Sequence, residues 1–399
     1  MIAWKFTNNF QTISIEAKMT NDNTDNNLNK DFKKQFGMLW IILKLTGISI
    51  FEENQRNGLP NCGFMISKLL FPLLLHCNFV YLWYCTASVG KLTYALIIDL
   101  LLPFLTCVLW WMIYRRRKPL KDFLFHFNES TLSCLNKPNR YLSCTINTAL
   151  CLLVVYTPFL IAMNALQRNG EPMPLLEILR FLQEMIFPSI VNVIYSAICY
   201  SLLRNLRSMK DAFEKQLDMA CPMSATKLSK NYFEIIKDIE VFEDLFSAPV
   251  FILVFKNFCT VSITIMDMMY VPDWMSKLMV EAVFYFLYIF GTLGVLTVCA
   301  ANIPLEMQRI KSVVMNKMSA SSFEGGLLCN VKNVELLLNK EACVLTACNV
   351  FQFDRGFLLK ALISVIAQAA VIFQLGSLLK ETPPTNGNST VNNPVTKPP

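Results

Sequence analysis

The chain has 399 residues, is 54% hydrophobic and only 16% charged, holds 30 Phe and carries a net charge of +7. A soluble protein of this length covers its core with roughly a quarter charged residues, so the composition excludes an ordinary soluble domain and points to lipid as the solvent. The 14 cysteines lie largely inside apolar runs, where a small soft side chain packs well; with His76 and His126 as the two histidines, neither a secreted disulfide framework nor a metal site is expected, and no cofactor.

In chain order, the first ~30 residues are polar and end in the tract NDNTDNNLNK, which does not read as a cleaved signal, so insertion is expected to rely on internal helices. The apolar stretch 36–51 is short and interrupted by Lys44, and reads as an interfacial or re-entrant helix. At about 20 apolar residues per crossing, seven spans follow, at 67–88, 93–114, 143–166, 179–203, 247–271, 279–302 and 357–379. The fold class expected is therefore all-α, a seven-transmembrane helical membrane protein.

Lysine and arginine mark the cytosolic side of such a protein. With the amino terminus inside, 27 of the 36 Lys and Arg fall in inside segments, and five fall outside: Lys91, Arg168, Lys277, Lys380 and Lys397. The net charge is thus a signal of topology and does not imply nucleic acid. Domains follow as a cytosolic amino-terminal segment (1–66), spans one to four (67–203), a cytosolic helical connection (204–246), spans five and six (247–302), a cytosolic helical anchor (303–356), span seven (357–379) and an extracellular tail (380–399). That tail carries the sequon Asn388-Ser389-Thr390, usable outside, whereas the sequon at Asn128 falls inside and should stay bare.

Both long inside connections carry helical stripes: Leu206, Met209, Phe213 and Leu217; Phe233, Ile236, Ile239 and Phe242; Met307, Ile310, Val314 and Met318; and Val334, Leu338, Ala342 and Leu345. Each must bury its apolar face, most simply in a bundle that continues spans four, five and six, and otherwise on the inner leaflet.

Ionisable side chains inside spans are expensive and usually face a bundle interior or a water-filled cavity. Asp99, Glu184, Asp267 and Glu281 fall in the external half of their spans, together with aromatics that include Trp83, Tyr156, Tyr285 and Tyr288; Lys256 falls nearer the middle of span five. These residues make a candidate pocket for a small polar or basic ligand. For any single aromatic, the alternative is the interfacial belt.

The last span reads FDRGFLLKALISVIAQAAVIFQLGSLLK, with Gln368 and Gln374 inside it. Together with the seven spans, the inside amino terminus and the LKLTGISIF stretch before span one, it resembles the insect gustatory receptor family, relatives of the odorant receptors. The family's last span carries Thr-Tyr, five apolar residues, then Gln-Phe. Here Ala367-Gln368 and Leu375 replace Thr-Tyr and Phe, while the five apolar residues and Gln374 match. The resemblance implies a tetrameric, homo- or heteromeric, ligand-gated cation channel of the plasma membrane opened by a small-molecule tastant. Its pore would be lined by the last helix, with Gln374, Leu375, Val371 and Gln368 as the pore and gate candidates. Gln368 and Gln374 are about 120° apart around a helix, so that if Gln374 faces the pore Gln368 should bond a neighbouring helix.

Two rivals share the hydropathy. A G-protein-coupled receptor needs its amino terminus outside, against the charge distribution, and no Asp-Arg-Tyr or Asn-Pro-x-x-Tyr occurs where it should. A transporter should show related halves, and no internal repeat is detected. No residue cluster suggests an enzyme.

Overall fold

In the computed structural model the residues described are 38–39, 41–48, 62–88, 94–135, 144–151, 155–156, 158–159, 162, 175–216, 222–270, 279–321 and 337–381. They form a mostly helical protein: α1 (Cys62–Ser88), α2 (Tyr94–Arg115), α3 (Arg117–Leu135), α4 (Leu175–Gln216), α5 (Pro222–Tyr270), α6 (Met279–Ser321) and α7 (Phe357–Glu381), with a two-stranded hairpin, β1 (Thr346–Ala347) and β2 (Phe351–Gln352), ahead of α7. Helical residues at 144–151 and on to 162 fall inside the expected third span. Three stretches, Gln183–Lys215, Lys227–Met266 and Ala282–Lys317, are long and apolar enough to cross a membrane among the described residues. Shorter apolar stretches lie in α1, α2 and α7.

The three long helices have 42, 49 and 43 residues, about 60–75 Å at 1.5 Å per residue, or twice the ~30 Å of a hydrocarbon core. Each continues unbroken past its expected span. In α6, Ile289, Leu293, Leu296, Ala300, Ile303, Met307, Ile310 and Val314 are all buried, a run of alternating four- and three-residue steps. This is the seam of a coiled coil, and α4 and α6 share the most extensive contact in the fold. Within lipid such a seam holds by packing, since hydrocarbon is as apolar as leucine. Beyond the span, burial of Met307, Ile310 and Val314 also draws on the hydrophobic effect. There the buried Glu306 receives Arg309 of its own helix at 2.9 Å and lies 4.0 Å from Arg207 of α4.

The segment before α1 is an amphipathic helical piece. Leu39 and Leu43 are buried while Ile41 and Leu45 are exposed. Gly47, at φ 79, ends it: its N–H bonds Lys44 O (3.2 Å) and the N–H of Ile48 bonds Leu43 O (3.0 Å). That pair of bonds is a Schellman cap, which needs the left-handed conformation glycine adopts freely. Trp110 of α2 then donates to Thr46 O at 3.0 Å and ties the piece to the bundle.

Two expectations change. Residues 117–135, read as a plain connection, form α3, which buries Leu120, Phe123, Leu124 and Phe127. The stripe expected to run as a helix to Leu345 does not: residues 337–339 are helical, 341–345 are not, and the chain enters the hairpin at Thr346. Cys348 and Asn349, at φ 52 and 58, turn the chain back. Val334 of that stripe lies outside the described residues.

Candidate functional site

The first third of α4 is a hub of contacts. Successive helical residues point about 100° apart, so Gln183, Glu184 and Met185 each meet a different neighbour. Gln183 accepts from Asn78 Nδ2 of α1 at 2.8 Å, both side chains buried. The carbonyl of Glu184 accepts from Lys256 Nζ of α5 at 2.8 Å. Lys256 is 5% exposed, so an ammonium that lipid cannot solvate finds its acceptor inside the bundle.

Met185 is the buried centre of an aromatic cluster formed by Tyr156 of the third span and Phe284, Tyr285 and Tyr288 of α6. The ring of Tyr156 stacks on Tyr288 with centroids 5.7 Å apart, and Phe159 meets Phe284 edge-on at 5.2 Å. Both geometries suit the quadrupoles of aromatic rings. The hydroxyls are tied inward. Tyr156 donates to Phe284 O at 2.6 Å. Tyr288 shares a hydrogen bond with Ser189 Oγ and reaches Met185 O at 3.2 Å. The result is a packed aromatic cluster whose Tyr156 and Tyr288 hydroxyls are satisfied inside the bundle.

Of the residues expected to form a pocket, the structure brings together Tyr156, Tyr285 and the α4 turn that carries Glu184. Trp83 is 59% exposed on α1, away from this cluster and suited to the interfacial belt. The side chains of Asp99, Asp267 and Glu281 lie outside those described. Sequence reasoning did not single out Met185, Ser189, Phe159 or Phe284. Ser189 follows Met185 by four residues and so shares its helix face, but no feature of the sequence marked Met185 itself. Among the described residues no group of three or more His, Cys, Asp or Glu is placed to hold a metal ion, and the described cysteines are free thiols.

The last helix separates its two glutamines. Phe357, Ala361 and Val365 are buried and Gln368 half-buried, marking the face of α7 that packs on α5 and α6. Gln368 Nε2 donates to Ser262 Oγ of α5 at 2.5 Å, a tie between the two helices. Val371, Phe373 and Gln374 are exposed. At about 100° per residue, Leu359, Ile363, Ile366 and Ala370 point most directly away from α5 and α6, with Phe373 and Gln374 about 50° to either side. Leu375, whose side chain lies outside those described, falls at the helical position of Gln368 one heptad on. Asp354 caps the start of α7, and Lys360 Nζ, 2.7 Å away, together with the N–H groups of Gly356 and Phe357, holds its carboxyl below the usual range. Asn388 lies outside the described residues.

No family model matches the chain, and no curated protein matches it. Solved structures do. The insect olfactory receptor OR5 from Machilis hrabei, in complex with eugenol, superposes with a TM-score of 0.64 over 88% of this chain and 99% of its own at 13% identity. A second structure of the same receptor gives 0.65 over 86% and 100% at 14% identity. The chain described here shares the fold of an insect olfactory receptor along nearly its whole length.

Proposed function

We propose that this chain is a subunit of a chemosensory, ligand-gated cation channel of the gustatory type in the plasma membrane. In this reading seven helices cross the bilayer, the amino terminus is cytosolic and the carboxyl terminus external, and four subunits, alike or related, surround one pore. The observation that carries the reading is the fold, shared over almost the full length of a receptor solved with a small odorant bound.

The ligand site we assign is the cluster around Met185. Its walls are aromatic and its polar groups are hydroxyls, while the ammonium of Lys256 sits on the neighbouring carbonyl. That chemistry favours a small neutral molecule with an aromatic or apolar face over a cation. The pore is formed by the face of α7 turned away from α5 and α6. A ring of Gln374 amides offers oxygens to partly hydrated cations, and Val371, about 60° round the helix from it, contributes to a constriction that closes by dewetting, whereas Leu375 falls on the face of Gln368.

Two classes of variant test the division of labour. In cells expressing the chain and exposed to a panel of sugars, alkaloids and phenolic odorants including eugenol, Met185→Ala and Tyr288→Phe are expected to shift the dose–response by about tenfold or more. Reversal potential should stay unchanged. Gln374→Ala should do the opposite, altering relative cation permeability with little change in the dose–response. The same phenotype from both classes at equal surface expression contradicts the assignment.

A further inference from the structure

Pro249 lies inside α5. It has no N–H, so the carbonyl four residues earlier, Leu245 O, has no helical donor. A side chain from another element supplies one. Arg116, at the junction of α2 and α3, donates from Nη1 to Leu245 O at 2.5 Å and to Asp244 O at 2.7 Å. Hydrogen bonds from a guanidinium are among the strong ones in proteins, and here they close a turn that proline opened.

The same turn holds the hairpin. Ser247 Oγ accepts the N–H of Cys348 at 2.7 Å, and Glu243 Oε1 accepts from Thr346 Oγ1 at 2.6 Å. Cys348 and Asn349 both have positive φ, and the N–H of Val350 bonds Ala347 O at 2.9 Å, closing a type I′ turn. Asparagine adopts that conformation readily and cysteine does not, so the bond to Ser247 falls at the residue that most needs holding. From the hairpin the chain passes through the buried Phe353 straight into α7. Phe353 and Phe351 meet Phe357 edge-on at 5.2 and 6.0 Å, and Phe351 stacks on Phe251 of α5.

We propose that Arg116 is a positioning residue for α7. By taking over the carbonyl that Pro249 releases, it fixes the Glu243–Ser247 turn of α5. Through Glu243 and Ser247 it fixes the hairpin from which the last helix starts. The turn is thereby the joint at which movement of α2, α3 and α5 reaches α7. The effect on current rests on α7 being the pore helix; the positioning itself does not.

The test uses the full chain, in cell membranes for current and purified in lipid nanodiscs for amide hydrogen exchange. Arg116→Ala and Ser247→Ala should each raise exchange in residues 346–352 and the first turn of α7 by about tenfold or more, the loss of one strong hydrogen bond. Pro249→Ala returns an N–H to Leu245 O, so the double variant Arg116→Ala/Pro249→Ala should recover wild-type exchange to within about threefold. Spontaneous current, recorded without ligand, should change in Arg116→Ala and recover in the double variant. Unchanged exchange in both single variants, or a double variant no better protected than Arg116→Ala, overturns the proposal. A loosened hairpin with unaltered current in a chain that conducts upholds the positioning and refutes α7 as the pore helix. Exchange that follows the expected pattern in a chain passing no current upholds the positioning and refutes the channel reading instead.

Discussion

Gln368 and Ser262 form a bond between α7 and α5 that neither side chain could make in hydrocarbon alone. Polar ties of this kind contribute about 0.6–2 kcal/mol in membrane proteins. A double-mutant cycle of Gln368→Leu and Ser262→Ala, read by thermal unfolding, should show coupling of about that size with cation permeability unchanged. Additive effects and altered permeability would place Gln368 in the pore. The geometry of these two glutamines was legible from sequence because helical spacing alone separates them by about 120°. Which of them bonds α5 was not: that depends on where Ser262 stands, more than a hundred residues away. The aromatic site divides similarly. Tyr156, Tyr285 and Tyr288 announce themselves by composition and depth, whereas Met185 and Phe284 look like any apolar span residues until packing brings them together.

At the scale of elements, the long helices were readable because their seams repeat. The stripes of Met307, Ile310 and Val314 and of Ile236, Ile239 and Phe242 are buried as their spacing requires. The helix α3 carries the same signal in Leu120, Phe123, Leu124 and Phe127, but over a single short stretch flanked by charge. The hairpin escaped because two-residue strands leave no periodicity and its turn uses Cys348 where glycine would have been a cue. Packing of α3 on α5 also sets a pH dependence. Burial raises the carboxyl pKa of Asp238, an effect that His126, with Nδ1 at 3.4 Å, partly offsets. The folded chain therefore holds that proton more tightly than the unfolded one, and the stability this contributes is present at low pH and lost as pH rises through the folded pKa. Asp238→Asn should raise the melting temperature of purified protein at pH ~7, with the gain shrinking towards pH ~4, near the ordinary carboxylate value. A loss at pH ~7 would show that the contact with His126 outweighs the cost of burial, and a gain independent of pH would show that ionisation of Asp238 is not its cause.

For the whole molecule, the architecture agrees with an insect olfactory receptor across almost all of both chains, although at such low identity side chains are free to differ. The proposed orientation rests on charge. Basic residues cluster where α2 meets α3 and along the distal parts of α4, α5 and α6, with few in the connections at the other end. A cytosolic amino terminus and an external tail require that Asn388 be glycosylated and Asn128 not. Glycosidase treatment of protein from insect cells should therefore shift the mobility of wild type and of Asn128→Gln but leave Asn388→Gln unmoved; the reverse pattern inverts the topology.

The central claim, that this chain itself forms a ligand-gated pore, is tested most directly in a planar lipid bilayer holding only the purified protein. With the tastant and odorant panel applied, the account predicts discrete, ligand-evoked single-channel openings that reverse near zero potential in symmetrical mixed cations, and a permeability ratio that changes in Gln374→Ala. Silence in the bilayer from protein that responds in intact cells, where G proteins and other partners are present, would contradict it.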